Sequence, residues 1–102
     1  MSISSIPFAP PLAASEAHVE AFNALAHLSR LRVFFFLVGA RREVAAGEIQ
    51  DALGLPGPTL THHLDILRRA RLVQRRKQAR YAYYSVVPET VSDLVRLLTA
   101  CC

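Results

Sequence analysis

The sequence predicts a mostly α-helical domain that carries one two-stranded β-hairpin. Apolar residues recur every three or four positions in five segments, which is the spacing of amphipathic helices. Gly54, Pro56 and Pro58 separate two of these segments and indicate a tight turn between two helices. Residues 72–86 are rich in valine and tyrosine around a basic turn, a composition that favours two paired strands.

The first two helices are predicted from apolar stripes that follow a serine. Ser15 is expected to cap the first helix. The apolar face of this helix is predicted to consist of Val19, Phe22, Leu25 and Ala26. Ser29 is expected to cap a second helix over residues 30–38, which Gly39 ends. The stripe of this second helix, interpreted as a core helix, consists of Leu31, Phe34, Phe35 and Val38.

The third and fourth helices form the centre of the predicted domain. A polar connection over residues 41–44 leads to the third helix, residues 46–53, whose inward positions are Ile49 and Leu53. Gly54 follows where a left-handed helix end favours glycine, and Pro58 suits the first turn of the fourth helix. The buried side of the fourth helix is predicted to consist of Leu60, Leu64 and Leu67, and the exposed side of Thr59, Thr61, His62 and Asp65.

The remaining elements are a hairpin and a final helix. Residues 72–76 and 80–86 are predicted as strands that the basic turn 77–79 joins. The strand residues include Tyr81, Tyr83 and Tyr84. Pro88 then begins a helix whose apolar positions are Val91, Leu94, Val95 and Leu98.

Size and composition indicate one small domain. The 102 residues are 52% apolar, and residues 15–102 are expected to fold together while the proline-containing residues 1–14 form an extended arm. The longest apolar run, residues 33–40, is too short to cross a bilayer, so no membrane partner is expected. Two adjacent cysteines do not form a disulfide framework and fit a cytoplasmic location.

The two-helix unit and the basic residues after it predict DNA binding. A short glycine-containing turn can present the second helix to the major groove, which is wide enough to admit a helix. Between Arg68 and Arg80 the chain has basic side chains and no acidic ones, although its net charge is only +4. Such a cluster is attracted to phosphate. The alternative interpretation is a solvated charged face.

Three sequence blocks occur in order across residues 24–86: ALAHLSRLRVFFFL, GEIQDALGLPGPTLTHHLDILRRARLV and RRKQARYAYYSV. Together they resemble the ArsR/SmtB family of bacterial metal- and metalloid-responsive repressors. The resemblance implies a winged helix-turn-helix homodimer, held by its first and last helices, that leaves double-stranded operator DNA when an inducer binds. Arg71 and Ala79 stand where the family often has glycine. Residues 43–48 lack the family's cysteine box, and residues 88–102 lack the histidine ligands of its zinc-responsive members.

The resemblance also implies which side chains contact DNA. On the recognition helix these residues are Pro58, Thr59, Thr61, His62 and His63. At the wing, the clustering of basic side chains predicts contacts from Arg75, Arg76, Lys77 and Arg80, which are suited to phosphate or to a narrow minor groove. In the alternative interpretation, the threonines support the start of the helix and His63 is a half-buried structural residue.

Cys101 and Cys102 are the candidate inducer site because they are the only soft ligands in the chain. Two thiols match a trivalent arsenical that already carries one organic group, such as methylarsenite. Inorganic arsenite would take a third sulfur, which the other subunit could supply. Two further hypotheses remain open: a thiol redox switch, and a winged-helix domain without a ligand. No catalytic arrangement is evident, so neither an enzyme nor a catalytic cofactor is expected.

Overall fold

A computed structural model describes residues 14–100, which form five helices and three strands. In chain order they are α1 (Glu16–Leu25), α2 (Leu28–Ala40), β1 (Val44–Ala45), α3 (Ala46–Leu53), α4 (Gly57–Arg69), β2 (Val73–Gln78), β3 (Tyr81–Val86) and α5 (Pro88–Thr99). The predicted fold class is confirmed. Residues 1–13 of the predicted arm, as well as Cys101 and Cys102, lie outside the described residues.

The three strands form one antiparallel sheet in the order β1–β3–β2. The short β1 was not predicted, since residues 41–44 were interpreted as a polar connection. Val44 instead pairs with Tyr84 and is fully buried. A strand of two residues is too short to show the alternation that identifies strands in a sequence.

The core lies between α2, α4 and the sheet. Its most deeply buried side chains include Val33, Leu37, Ile49, Leu60, Leu64, Leu67, Leu72 and Val73. The predicted buried side of α4 is confirmed, because Leu60, Leu64 and Leu67 are each at most 2% exposed. This packing fixes which side of α4 faces outward.

The prediction for α2 was wrong about both ends of the helix and about which of its apolar side chains are buried. His27, not Ser29, is the N-cap: its Nδ1 accepts a hydrogen bond from the Ser29 backbone N–H at 3.2 Å. The helix continues past Gly39 to Ala40, and its C-cap, Arg41, has a left-handed conformation. Phe35 is 59% exposed and Val38 is 41% exposed. The sequence of α2 is apolar on almost every side, so its periodicity does not identify the buried face.

The positions of the glycine and proline between α3 and α4 were predicted more accurately than the bounds of the hairpin strands. Gly54 has φ +66° at the end of α3, and Pro58 lies in the first turn of α4, both as predicted. β2 ends at Gln78, two residues beyond its predicted end, whereas β3 begins at Tyr81, one residue later than predicted, and these two residues pair with each other. The loop is therefore the two residues Ala79 and Arg80.

Among residues 14–100, three non-glycine residues have a left-handed backbone conformation: Arg41 with φ +55°, Arg71 with φ +62° and Ala79 with φ +55°. For residues with a Cβ atom this conformation costs about 1–2 kcal/mol. Arg71 and Ala79 are the two positions where the resembled family often has glycine. Both residues therefore have a backbone conformation that glycine would adopt at lower cost.

We expect Ala79→Gly to raise the free energy of unfolding by up to about 1 kcal/mol, because glycine has no Cβ penalty at positive φ. Gly54→Ala should lower it by about 1 kcal/mol or more, since an added Cβ meets no atom within 4 Å and only the backbone strain changes. Urea denaturation of both variants measures these changes. If both substitutions raised the free energy of unfolding, or both lowered it, the assignment of strain to these turns would be contradicted.

The last helix, α5, packs lightly on the rest of the chain. Leu94 is its single buried residue, whereas Val95 is 53% exposed and Leu98 is 61% exposed. The Nε2 atom of His18 in α1 lies 2.6 Å from Oδ2 of Asp93 in α5 and links the two helices. An apolar face therefore remains uncovered beside this polar link.

Within residues 14–100, no single helix is both long enough and apolar enough to cross a membrane. α1 and α2 would meet the length and composition together, but their axes are bent by 98° relative to each other.

Candidate nucleic-acid interface

The helix-turn-helix consists of α3, a three-residue turn over residues 54–56, and α4. Gly54 reverses the chain without strain because glycine tolerates its positive φ. Leu60 and Leu64 hold α4 against the core, since both are nearly fully buried. The opposite side of α4 is thereby presented to solvent as a continuous surface.

We call this surface the recognition face; it consists of Pro58, Thr59, Thr61 and His62, all of which are exposed. Its hydroxyl and imidazole groups can hydrogen-bond to base edges or to phosphate. The nearest acidic group on α4, Asp65, is half-buried and pairs with Arg68 at 3.3 Å. The face is therefore rich in hydrogen-bonding groups, and the adjacent carboxylate is partly neutralised.

His63 does not belong to the recognition face, so we remove it from the predicted DNA contacts. It is 6% exposed, and its ring lies 5.0 Å from that of His27 and 6.0 Å from that of His62. Its buried Nδ1 has no hydrogen-bond partner within the part of the chain that the structure describes. Residues 60, 63, 64 and 67 have the i, i+3, i+4, i+7 spacing of one helix face, and this signal could have identified His63 as buried.

Burial, with smaller contributions from His27, Arg30 and His62, lowers the pKa of His63. In the unfolded chain the pKa of histidine is about 6.5, so the unfolded state takes up this proton first as the pH falls. We therefore expect the free energy of unfolding to decrease below about pH 6.5 and the variant His63→Leu to show a smaller decrease. Urea denaturation between about pH 7.5 and pH 5.5 measures the difference. Identical pH dependence in both proteins would contradict this role.

The hairpin, which we call the wing, carries cations on both faces. In the strand register, Arg75 lies opposite Tyr84 and Lys77 lies opposite Ala82. Arg75 and Lys77 are two positions apart on β2, so their side chains share one face of the hairpin. Arg76 pairs with Tyr83 on the other face, and Arg80 lies in the loop at the tip. Arg75, Lys77 and Arg80 are exposed, and none of the three forms an ion pair with a residue between 14 and 100. They are available to phosphate.

Arg76 differs from these cations because it already has an acidic partner. Its Nε donates to Oε2 of Glu43 at 2.8 Å, and its guanidinium lies 5.0 Å from the centre of the Tyr83 ring. This hydrogen bond lowers the pKa of Glu43 and raises that of Arg76. The sequence interpretation of an unpaired basic stretch was therefore wrong at Arg76, and also at Arg68. For Arg76 the partner is 33 positions away and gives no local signal.

We expect Glu43→Gln to free Arg76 for phosphate and to strengthen operator binding. The slope of log affinity against log salt should become steeper by about one, the effect of one additional phosphate contact. Glu48→Gln is the matched control, because Glu48 pairs with Arg42 and its substitution removes the same charge. Fluorescence anisotropy over a salt series measures both slopes. Equal slopes for the two variants would show that Arg76 does not reach DNA.

Between residues 14 and 100, no three histidine, cysteine, aspartate or glutamate side chains are grouped so that they could hold a metal ion. The candidate thiols, Cys101 and Cys102, lie beyond this range. The candidate site that the structure describes therefore consists of the exposed recognition face of α4 and the exposed cations of the wing.

The arrangement of α3, α4 and the wing defines a winged helix-turn-helix transcriptional regulator. A family model described as a helix-turn-helix domain matches residues 25–76. The transcriptional repressor SmtB homolog of Synechocystis is 39% identical over 77 residues, which are 76% of this chain and 57% of that protein. The chain thus spans little more than half the length of this relative. It belongs to the ArsR/SmtB family of transcriptional regulators.

Two solved structures agree with this assignment. HlyU from Vibrio cholerae has a TM-score of 0.67 and 30% identity, covering 83% of this chain and 94% of HlyU. The homodimeric winged helix-turn-helix DNA-binding domain Mb0332 from Mycobacterium bovis has a TM-score of 0.69 and 28% identity, covering 84% of this chain and 78% of that one. These relatives are regulators of transcription rather than enzymes.

Proposed function

We propose that this chain forms a cytoplasmic homodimeric repressor that binds double-stranded operator DNA and leaves it when a trivalent arsenical binds Cys101 and Cys102. The observations that carry DNA binding are the exposed recognition face of α4 and the three exposed wing cations that form no ion pair within residues 14–100. Thr61 and His62 would read base edges or phosphates in the major groove. The wing cations would contact the flanking phosphates or the minor groove.

The proposed dimer is formed by α1 and α5. Val95 and Leu98 of α5 are exposed, and so is Val19 of α1. The link between His18 and Asp93 holds the two helices together, so their apolar residues can form one surface. A second copy of the chain would bury this surface, and dimerisation is typical of the family. A twofold dimer would place its recognition helices about 34 Å apart, one turn of DNA.

The operator geometry can be tested with a palindromic fragment taken from upstream of the chain's own gene. We expect specific binding to the palindromic fragment. Inserting about five base pairs between the half-sites should weaken it at least about tenfold, because half a helical turn rotates one half-site away from its recognition helix. Fluorescence anisotropy with both fragments measures this loss. Equal affinity for the two fragments would contradict binding by a symmetric dimer.

The arsenical site is proposed from the sequence that follows α5. Cys101 lies seven positions after Leu94, and Cys102 lies seven positions after Val95, so both thiols have the phase of the apolar stripe. Thiolates are the soft ligands that thiophilic ions prefer. Two neighbouring thiols supply both remaining ligands of an arsenical with one organic group. We therefore propose that organoarsenicals are preferred to arsenite.

Binding at this position would alter the dimer contact of α5 and change the spacing of the two recognition helices. Such coupling is typically worth about 1–3 kcal/mol, roughly five- to 150-fold in affinity. By linkage, operator DNA must weaken arsenical binding by the same factor. This reciprocity distinguishes an inducer from a compound that merely modifies thiols.

Ligand stoichiometry and selectivity can be measured together by calorimetry. We expect one phenylarsenite to occupy both thiols of a chain and to bind more tightly than arsenite. Substitution of either cysteine by serine should abolish this binding. If arsenite binds more tightly, a third sulfur from the other subunit completes the site. If peroxide releases DNA and arsenicals do not, the chain is a thiol redox sensor instead.

A further inference from the structure

A cavity of about 470 Å³ lies between the end of α2, the end of β3 and the beginning of α5. Its apolar lining consists of Leu37, Val38, Val86, Pro88 and Val91. A volume of this size is within the range of small-molecule sites, which are about 300–1,000 Å³ and mostly apolar. The recognition face contributes none of these apolar residues, and the wing contributes only Val86, at the end of β3.

The edge of this cavity carries one surplus positive charge. Three charged side chains line it, namely Arg41, Arg42 and Glu43. Arg42 pairs with Glu48, and Glu43 pairs with Arg76. Arg41 forms no ion pair with any residue from 14 to 100.

Two further features of the cavity favour an anion. Pro88, Val91 and Ser92 place the first turn of α5 in its wall. The N-terminal end of a helix has a partial positive charge that adds to that of Arg41, and Glu89 in the same turn, which does not line this cavity, offsets part of it. Ser85 and Ser92 supply hydroxyl groups that can hydrogen-bond to a polar ligand group. A single anionic group fits this edge, while the lining accepts an apolar body.

We propose that this cavity binds a small apolar carboxylate, with its hydrocarbon part on the apolar lining and its carboxylate paired with Arg41. An arginine fork matches a carboxylate in a bidentate arrangement. The proposal does not use the candidate thiols, because the described residues that line the cavity include no cysteine and Cys101 and Cys102 lie outside the described range.

Such a ligand would give the regulator a second input. It would contact α2, β3 and α5 at once, and α5 packs only lightly on the remainder of the described chain. A ligand that binds the folded state stabilises the arrangement it contacts. The position of α5 relative to the core, and with it the geometry of the proposed dimer, would therefore depend on the carboxylate.

The variant Arg41→Gly tests the ion pair without disturbing the fold. Arg41 has φ +55°, a conformation that glycine adopts at lower cost, so the variant should be at least as stable as the parent chain. Arg71→Gly is the matched control, because it removes another arginine with φ +62° that does not line this cavity. Both variants lose one positive charge.

Calorimetry of the full chain with octanoate, and with octanol as the uncharged probe, measures binding. We expect octanoate to bind the parent chain and Arg71→Gly equally, and to bind Arg41→Gly at least about tenfold more weakly, which is the loss of a charge-assisted contact. Octanol should bind at least about tenfold more weakly than octanoate. Filling the cavity by Ser92→Phe should also abolish octanoate binding.

Three results would overturn the proposal. Octanoate could fail to bind the parent chain. Octanoate could bind Arg41→Gly and the parent chain equally, which would show apolar partition without recognition of the anion. Octanoate binding could disappear as the protein concentration is raised, which would show that a second copy covers the cavity.

Discussion

Leu64→Ala is expected to lower the free energy of unfolding by about 2–5 kcal/mol, the range for truncating a buried leucine. Leu64 is 1% exposed on the side of α4 that faces the core. The substitution removes apolar contacts and leaves a cavity that the surrounding helices and sheet fill only in part. For a domain of this size, such a loss can exceed half of the total stability.

Urea denaturation of Leu64→Ala and of the matched control Thr61→Ala measures this effect. Thr61 is exposed on the same helix, so its truncation should change the free energy of unfolding by less than about 0.5 kcal/mol. Similar losses for the two variants would contradict the assigned orientation of α4.

Thr61→Glu is expected to weaken operator binding at least about 100-fold while leaving the fold intact, because like charges brought together at an interface cost several kcal/mol. The new carboxylate would lie on the recognition face, against phosphates and the acceptor-rich edges of bases. Thr61 is exposed in the free chain, so the unfolding transition should change little.

Arg32→Gln controls for the change in net charge. It lowers the net charge by one, as Thr61→Glu does, but it alters an exposed position of α2. Anisotropy should show operator binding within about tenfold of the parent chain for this control, since the phosphate contacts are retained. If both variants lost the same operator affinity, the effect of Thr61→Glu would be explained by the change in net charge and not by the position of Thr61.

The helix-turn-helix could be predicted from the sequence because its signals are local. Gly54 and Pro58 have conformational preferences that act within one turn of the chain, and both lie where they were expected. The leucines of α4 lie on one side of the helix and polar residues lie on the other, so the periodicity identifies a single buried face. Of the predicted exposed side, Thr59, Thr61 and His62 are exposed, whereas Asp65 is half-buried.

Other features depend on contacts that no local pattern shows. α2 has apolar residues around most of its circumference, and only packing decides that Val33 is buried while Phe35 is exposed. The pair of Glu43 and Arg76 joins a loop to the wing across the sheet. This ion pair engages Arg76, whereas the other wing cations stay available to DNA.

The strained turns occupy an intermediate position between these two cases. The resemblance to the family marked Arg71 and Ala79 as unusual, and the structure shows that both retain a conformation suited to glycine. Arg41 has the same conformation, but neither a glycine nor a repeating pattern indicated it. Its side chain lies at the edge of the cavity for which we propose an anionic ligand.

The central claim is that an arsenical bound at Cys101 and Cys102 releases this regulator from DNA, and one titration tests it most directly. Phenylarsenite is added to the complex of the full chain with its operator while anisotropy reports bound DNA. We predict release from the parent chain, and retention of DNA by Cys101→Ser and Cys102→Ser. Equal release from all three proteins, or from none of them, would contradict the account.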